Sequence, residues 1–224
     1  MIDAYWWGGV NRISPEAPVP VCAVNDKESR LGGAANVALN IAAMGANPIL
    51  CSVVGEDYQG HQLCELMEKQ NMDTNGIVFS SNRPTTVKTR IIGNKTQMLR
   101  IDEETDVSIS LSEEKIFLDK IESIINTEKI NAIIFQDYDK GVITEEIITK
   151  IIEIAKRKNI PVTVDPKKRN FTAYKNVDLF KPNLKELKEG LKIDFDNVDK
   201  DVLVEASLLL HYKQKIEKVF ITLS

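Results

Sequence analysis

From residue 47 onward, short runs of apolar and β-branched residues alternate with longer segments of helical periodicity. Ile133-Ile134-Phe135 and Val162-Thr163-Val164 are typical of the runs, which are nearly continuous in apolar character. Such runs suit strands that are buried on both faces, and strands that alternate with helices pair in parallel. The alternation therefore predicts an α/β fold: a doubly wound, mostly parallel sheet with helices on both faces.

The pattern gives approximate bounds for each element. The predicted strands are 48–54, 132–136, 161–164, 178–181 and 219–223. The predicted helices are 58–70, 112–126, 144–158, 183–190 and 197–212.

Two stretches, 18–25 and 85–102, alternate instead in the manner of exposed antiparallel strands. Gly93-Asn94-Lys95 supplies a hairpin turn within the second stretch. The apolar face of a small sheet must be buried against another surface, so we expect a β lid over a site, a dimer surface, or both.

Composition narrows the classes of partner and compartment. The net charge of −4 comes from scattered acidic and basic residues, with no basic face for nucleic acid. The cysteines Cys22, Cys51 and Cys64 lack metal-ligand spacing and are interpreted as reduced thiols. No signal peptide or bilayer-length apolar run is visible, so we expect a cytoplasmic protein without a membrane partner.

Gly32 and Gly33 open a predicted helix that carries a single amide, Asn36, among small apolar residues and ends at Gly45. Two glycines permit positive φ angles and close approach of a ligand to N–H groups at the helix start. The alternative is a tight turn before a core helix, with Asn36 bonded to nearby backbone. The motif alone does not separate these interpretations.

Polar residues follow the predicted parallel strands. The strand ends lead into Gln136-Asp137, Asp165-Pro166-Lys167, Lys181-Pro182-Asn183 and Ser224. Ligands of open parallel sheets bind beyond the carboxyl ends of the strands, which favours a shared cleft. Helix caps and turns are the alternative explanation.

Two sets of charged residues can each be interpreted in two ways. Asn183-Leu184-Lys185-Glu186 fits a capping box, and it equally fits residues that orient phosphate and hydrated Mg²⁺. Lys88, Arg90 and Arg100 alternate along the lid strands, where they either face an anion together or protect an exposed edge.

Several motifs together resemble the ribokinase or PfkB superfamily of sugar kinases, and more narrowly the heptose-7-phosphate kinases within it. The broad resemblance rests on Gly32-Gly33-Ala34-Ala35-Asn36-Val37-Ala38, on Asn183 to Glu186, and on the lid. The narrower one rests on Asp3-Ala4-Tyr5-Trp6-Trp7-Gly8, Arg12-Ile13-Ser14-Pro15-Glu16-Ala17-Pro18, Gln97-Met98-Leu99-Arg100-Ile101-Asp102, Asp137-Tyr138-Asp139-Lys140-Gly141 and Val164-Asp165-Pro166-Lys167.

The resemblance implies ATP-dependent phosphorylation of the anomeric hydroxyl of heptose 7-phosphate, giving the 1,7-bisphosphate for the lipopolysaccharide core precursor ADP-heptose. It implies these sugar-site residues: Asp3, Gly32, Gly33, Asn36 and Asp137. It implies these residues for the existing phosphate: Lys88, Arg90 and Arg100. It implies these residues for ATP: Asn183, Leu184, Lys185, Glu186, Lys167 and Ser224, with Glu186 holding Mg²⁺ through water. A homodimer through the β lid is also expected.

One part of the family pattern is missing from the sequence. In this family the catalytic base is the Asp of a Gly-Ala-Gly-Asp turn, which does not occur between Met1 and Ser224. We therefore expect residues 1–224 to form an incomplete kinase domain, with lid strands at about 10–30 and 85–102, and to be inactive alone. The alternatives are another sugar or nucleoside kinase of the superfamily, or a non-catalytic module that binds sugar phosphate or dimerises.

Overall fold

The computed structural model describes residues 1–193 and 200–223. The chain divides between Thr105 and Asp106 into two compact units, which are described in turn. No helix in these described ranges is both long and apolar enough to cross a lipid bilayer.

The first unit contains two sheets and two helices. Its elements are β1 (Ile2–Ile13), β2 (Pro20–Leu31), α1 (Ala34–Ala43), β3 (Ser52–Gly55), α2 (Tyr58–Glu68), β4 (Ile77–Ser80), β5 (Val87–Gly93) and β6 (Thr96–Glu103). One sheet has the strand order β2-β1-β5-β6, and the other pairs β3 with β4. In the larger sheet β1 and β5 are parallel, and both outer pairs are antiparallel.

The predicted hairpin is confirmed, whereas the sheet predicted as antiparallel is mixed, because its central strands β1 and β5 pair parallel. Strands β5 and β6 pair antiparallel around Asn94 and Lys95, which have φ angles of 51° and 68°. Two consecutive positive φ angles are typical of the tight turns that match strand twist. The segment 18–25 lies largely in β2, whereas β4 and residues 2–9 of β1 were not predicted as strands.

The two faces of the larger sheet differ in character. Residues of one face, including Ile2, Ala4, Leu31 and Val87, are buried in a core with Ala35, Leu63 and Met67. Side chains alternate along a strand, so Asp3 and Tyr5 lie on the opposite face. Across β1 and β5, Asp3 pairs with Lys88 and Tyr5 pairs with Arg90. All four side chains therefore lie together on this second face.

The second unit is built on a parallel sheet. Its elements are α3 (Leu111–Thr127), β7 (Ile133–Gln136), α4 (Glu145–Lys158), β8 (Val162–Asp165), β9 (Leu179–Phe180), α5 (Leu184–Leu191), α6 (Lys200–Gln214) and β10 (Lys218–Val219). The strand order is β10-β9-β8-β7, and each neighbouring pair is parallel. The predicted parallel sheet is thus confirmed, and the bounds of α3, α4 and β7 differ from the prediction by one residue at each end at most.

The last predicted strand, 219–223, is much shorter in the structure. Beyond β10, Phe220 N donates to Phe180 O at 2.9 Å, and an isolated bridge joins Asn183 and Thr222. Pro182 accepts a hydrogen bond from the Thr222 N–H at 3.1 Å but has no N–H to return, which interrupts the ladder. The predicted helix 197–212 begins outside the described residues, which contain it from Lys200 onward.

Candidate functional site

The glycine pair has the local geometry that the sequence predicts. Gly33 has φ 55° and ψ −131° and precedes α1, with no side-chain cap. The helix ends where Gly45, with φ +87°, donates to Ala42 O and Ala46 N donates to Ile41 O, which is a Schellman motif. Asn36 is exposed in the first turn, and its amide bonds to no other described residue. The tight turn before a core helix is therefore present, since Ala35 and Ala38 are buried in the core, but the backbone bond that the alternative gave to Asn36 is not.

Asp3 joins the glycine pair to the charged face of the larger sheet. Its Oδ1 accepts a hydrogen bond from Arg90 Nη1 at 2.6 Å, and this bond raises the pKa of Arg90. The two side chains are only 19% and 23% exposed. Its Oδ2 lies beside Gly32, so the structure brings Asp3, Gly32 and Arg90 together as predicted site residues.

Lys88 and Arg100, the other predicted phosphate ligands, converge on Asp102. Arg100 donates to both oxygens of Asp102, at 2.8 and 3.0 Å, and Lys88 donates to the same carboxylate at 2.7 Å. These bonds, that of Arg100 first, lower the pKa of Asp102 to about 2. Glu104 accepts a second bond from Lys88 at 2.9 Å. Burial lowers the pKa of Lys88, but its two carboxylate partners outweigh this and raise it.

Sequence reasoning missed an aromatic and charged group next to Arg90. The guanidinium carbon of Arg90 is 5.2 Å from the ring centroid of Tyr5, and that of Arg30 is 5.0 Å from the same ring. Arg30 also forms a bidentate pair with Glu28, at 2.5 and 2.7 Å. The alternation of Glu28 and Arg30 along the sequence was the available signal, since residues two apart share a face.

In the second unit, three strand ends converge as predicted. Asp165 at the end of β8 accepts from Gln136 of β7 at 3.2 Å. Lys181, just after β9, forms an ion pair with the same Asp165 oxygen at 3.0 Å. The carboxyl edge of this sheet therefore presents a carboxylate between an amide and an ammonium group.

The capping-box interpretation of residues 183–186 is confirmed. Glu186 N donates to Asn183 Oδ1 at 2.8 Å, and Asn183 N donates to Glu186 Oε2 at 2.9 Å. The other Glu186 oxygen pairs with Lys167, and the carboxylate is 8% exposed. Burial lowers the pKa of Lys167, but the bond to Glu186 outweighs it and raises this pKa. The Glu186 carboxylate therefore completes the capping box and also pairs with Lys167, which follows β8.

The remaining predicted nucleotide ligands are Leu184, Lys185 and Ser224. Leu184 N donates to Thr222 O at 3.2 Å, which ties the start of α5 to the segment after β10. The Lys185 side chain is 83% exposed. Ser224 lies outside the described residues.

Asp137 is buried, with 2% of its surface exposed. Its Oδ2 accepts from Tyr174 Oη at 2.9 Å and from Asn170 Nδ2 at 3.1 Å, and its Oδ1 accepts from Asp139 N at 2.8 Å. Burial, and then the neighbouring carboxylate, raises the pKa of Tyr174. The predicted contact of Asp137 with substrate stays a prediction, and the structure gives this carboxylate a second role as an internal anchor of the turn after β7.

The predicted donor for Mg²⁺, Glu186, is a single buried carboxylate. Within residues 1–193 and 200–223, no three His, Cys, Asp or Glu side chains are grouped to hold a metal ion. Mg²⁺ in phosphate-transfer sites keeps several waters and uses one or two carboxylates with the nucleotide phosphates. Glu186 fits that requirement, as a carboxylate held in place by Asn183 and Lys167.

The fold is shared with sugar kinases of known structure. Phosphofructokinase-2 from Escherichia coli, in complex with fructose-6-phosphate, has a TM-score of 0.75 at 18% identity over 100% of this chain and 71% of that one. Ribokinase from Arabidopsis thaliana, complexed with ribose and ATP, has a TM-score of 0.64 at 14% identity over 99% of this chain and 69% of that one. The protein therefore has the ribokinase-like α/β fold, as the sequence predicts.

Sequence comparison narrows this class to one family. Residues 5–224 match the pfkB family carbohydrate kinase, and the chain belongs to that family. The bifunctional protein HldE of Wolinella succinogenes is 40% identical over 224 residues, which are 100% of this chain and 46% of that protein. HldE of Haemophilus influenzae strain PittEE is 42% identical over 210 residues, covering 88% and 43%. The chain spans about half the length of these curated relatives.

Proposed function

We propose that the chain is the kinase part of an enzyme that phosphorylates D-glycero-D-manno-heptose 7-phosphate at O1 with ATP and Mg²⁺. The product would be the 1,7-bisphosphate, a precursor of ADP-heptose for the lipopolysaccharide core. Membership of the pfkB family and the identity with HldE proteins support a sugar kinase of this type. The observation that carries the choice of a phosphorylated sugar is the gathering of Lys88, Arg90 and Arg100 on one face with Asp3.

The residues of the first unit bind and orient the sugar phosphate in this proposal. The carboxylate of Asp3, the backbone at Gly32 and Gly33, and the exposed amide of Asn36 suit sugar hydroxyls. Guanidinium groups match phosphate oxygens with two parallel bonds, and a lysine adds a point charge. A neutral sugar has no anionic group that could compete with the carboxylates now paired with these cations.

The residues of the second unit orient the nucleotide. ATP with bound Mg²⁺ supplies the phosphoryl group. Lys167 and Glu186 are the proposed contacts to its phosphates and hydrated cation. Positioning, charge neutralisation and exclusion of water account for most catalysis of phosphoryl transfer. The proposed base is the Asp of the family's Gly-Ala-Gly-Asp turn, which none of the 224 residues supplies.

An ADP-release assay tests the proposal. It compares heptose 7-phosphate, fructose 6-phosphate, ribose and fructose, with this chain and with any longer protein that its gene encodes. Turnover of heptose 7-phosphate by the longer protein alone is the expected result. Turnover of ribose or fructose would instead indicate another sugar kinase of the family.

A non-catalytic module that binds sugar phosphate or dimerises is the second candidate, favoured by the missing Gly-Ala-Gly-Asp turn. It would be supported if neither protein releases ADP and the chain still binds sugar phosphate.

The proposal includes a homodimer through the larger sheet of the first unit. Leu99 and Ile101 of β6 are 57% and 43% exposed and continue the apolar face of that sheet to its edge strand. A monomeric mass by sedimentation of the longer protein would contradict this part. ATP and sugar phosphates are cytoplasmic metabolites, so the enzyme is proposed to work in the cytoplasm.

A further inference from the structure

Asp102 is bound in the way that a phosphate group is bound by proteins. Arg100 donates to its two oxygens from Nε and Nη2, at 2.8 and 3.0 Å, while Lys88 Nζ lies 2.7 Å from Oδ2. A bidentate guanidinium group joined by an ammonium group is a strong arrangement for an anion with several oxygens. The two cations are therefore already arranged around one anionic group.

The charges around this position are balanced. Lys88 and Arg100 supply two positive charges, and Asp102 and Glu104 supply two negative ones. Adding a phosphate dianion without moving a carboxylate would place like charges together, which is unfavourable. Phosphate binding at these cations therefore requires one carboxylate to leave.

Glu104 accepts a bond from Lys88, whereas Asp102 pairs with both cations and is therefore the carboxylate that a phosphate must displace. Asp102 lies on β6, the edge strand of the sheet, and its side chain is 24% exposed. Rotation about its Cα–Cβ bond is enough to turn so short a side chain toward solvent. Asp3 differs, because its Oδ2 lies against Gly32 while its Oδ1 is bound to Arg90.

We propose that Asp102 is a specificity-determining residue whose carboxylate occupies the anion position of Lys88 and Arg100 until the phosphate group of a sugar displaces it. The identity of the anion as a sugar phosphate rests on the proposed function, while the anion position itself rests on the geometry. A dianion gains more from two cations than a carboxylate does, so it displaces Asp102, whereas a neutral sugar does not. Asp102 thereby weakens the binding of every anion and keeps the position closed to weak ones.

Titration with inorganic phosphate tests this inference without any kinase assay. We would compare the dissociation constants of the unaltered chain and of Asp102→Asn by calorimetry at low salt. Asp102→Asn removes the competing charge and keeps the size of the side chain, so phosphate should bind about fivefold more tightly or better. Adding Arg100→Gln to that variant should abolish the gain.

Glu28→Gln is the matched control. It also adds one positive charge to the same face of the same sheet and frees an arginine from a bidentate carboxylate. Among the described residues no lysine pairs with Arg30, and its cationic neighbour at the Tyr5 ring, Arg90, is bound to Asp3. Its phosphate affinity should stay within about twofold of the unaltered chain. Equal gains in Asp102→Asn and Glu28→Gln would show a general charge effect and overturn the inference. Unchanged affinity in Asp102→Asn would also overturn it.

The same variants separate this inference from the proposed function. Asp102→Asn could bind phosphate more tightly while the longer protein turns over no sugar phosphate. That result would support the anion position and contradict the kinase assignment. Turnover of heptose 7-phosphate with an unchanged KM in Asp102→Asn would retain the kinase and reject the role of Asp102.

Discussion

The carboxylate of Asp3 lies directly against Gly32, in the space where a side chain at residue 32 would begin. A β-carbon on Gly32 would be 2.4 Å from Oδ2 of Asp3 and 2.8 Å from its Cγ. Carbon and oxygen atoms do not approach so closely without a bond. Gly32 therefore allows Asp3 to stay beside the start of α1 while it accepts the bond from Arg90.

Gly32→Ala should weaken sugar binding more than it weakens the fold. The new β-carbon would push away the end of a short side chain rather than backbone, so the free energy of unfolding should fall by only about 1 kcal/mol. The displaced Asp3 would lose its position for a sugar hydroxyl, and sugar-phosphate affinity should fall about tenfold. Urea unfolding and calorimetry measure the two effects.

Gly45→Ala is the comparison for this substitution. No atom lies within 4 Å of its added β-carbon, but φ at this position is +87°. It should cost about 1 kcal/mol of stability through backbone strain and leave sugar binding unchanged. Equal affinities in the two alanine variants would contradict the role of Gly32.

Glu186→Gln should separate the capping role of this residue from its proposed nucleotide role. A glutamine retains an oxygen to accept the Asn183 N–H but loses the charge that faces Lys167. In the longer protein, kcat/KM for ATP should fall about tenfold or more, with a stability change below about 1 kcal/mol.

Glu113→Gln is the matched control, because Ser110 and Glu113 form the same capping box at the start of α3. That helix carries no proposed ligand, so kcat/KM for ATP should not change. A similar loss in both glutamine variants would attribute the effect to helix capping.

Tyr174→Phe should destabilise the fold of the second unit. The hydroxyl group donates to the buried carboxylate of Asp137, and its removal leaves that oxygen with Asn170 alone. We expect a loss of about 2 kcal/mol in urea unfolding, as for hydrogen bonds to charged groups. Tyr212→Phe, at a tyrosine that is 75% exposed, should change stability by less than about 0.5 kcal/mol. Comparable losses in the two variants would exclude a special role for the buried bond.

Asp57→Ala should remove the N-cap of α2 together with a link to the strand β5 region. Asp57 accepts from Gly60 N and Thr85 N, each at 2.7 Å, so alanine leaves two N–H groups without this partner. The expected loss is about 2 kcal/mol. Asp73→Ala, which removes an exposed bond to Asn75 N, should cost well under half of that.

Asp57 also predicts an acid dependence of stability. Burial raises the pKa of its carboxyl, but the bonds from Thr85 and Gly60 outweigh burial and hold the pKa below the ordinary value of 3.8. The stabilisation is therefore fully present above pH 3.8 and is lost as the pH falls through the lower folded-state value. Asp57→Asn should flatten this part of the stability profile, and an unchanged profile would contradict the assignment.

The elements that sequence analysis located well have local start and stop signals. Thr144 caps α4 through the N–H of Ile147, and Asn159 ends the same helix with a left-handed conformation. Such signals act over a few residues and are visible in the sequence. Most of β1 was missed because Gly8, Gly9 and the register shifts after Trp7 and Val10 interrupt its alternation, and β4 spans only four residues.

Partners of the site residues were harder to predict for the same reason. Asp102 stands two residues after Arg100, but only the register of β5 and β6 places it opposite Lys88. Burial of Asp137 was likewise hidden, since it depends on Asn170 and Tyr174, which are distant in sequence. Sequence patterns singled out these charged residues as candidates, and tertiary pairing decides which of them neutralise one another.

The parallel pairing of β1 with β5 has a consequence for the order of folding. The bond between Asp3 and Arg90 joins residues 87 apart, whereas the bond between Gln136 and Asp165 in the parallel sheet spans only 29. Closing longer loops costs more chain entropy, and proteins rich in distant contacts fold more slowly. We therefore expect the strand-end contacts of the second unit to form early during refolding. The face with Asp3 and Arg90, which is proposed to bind the sugar, should be completed among the last events.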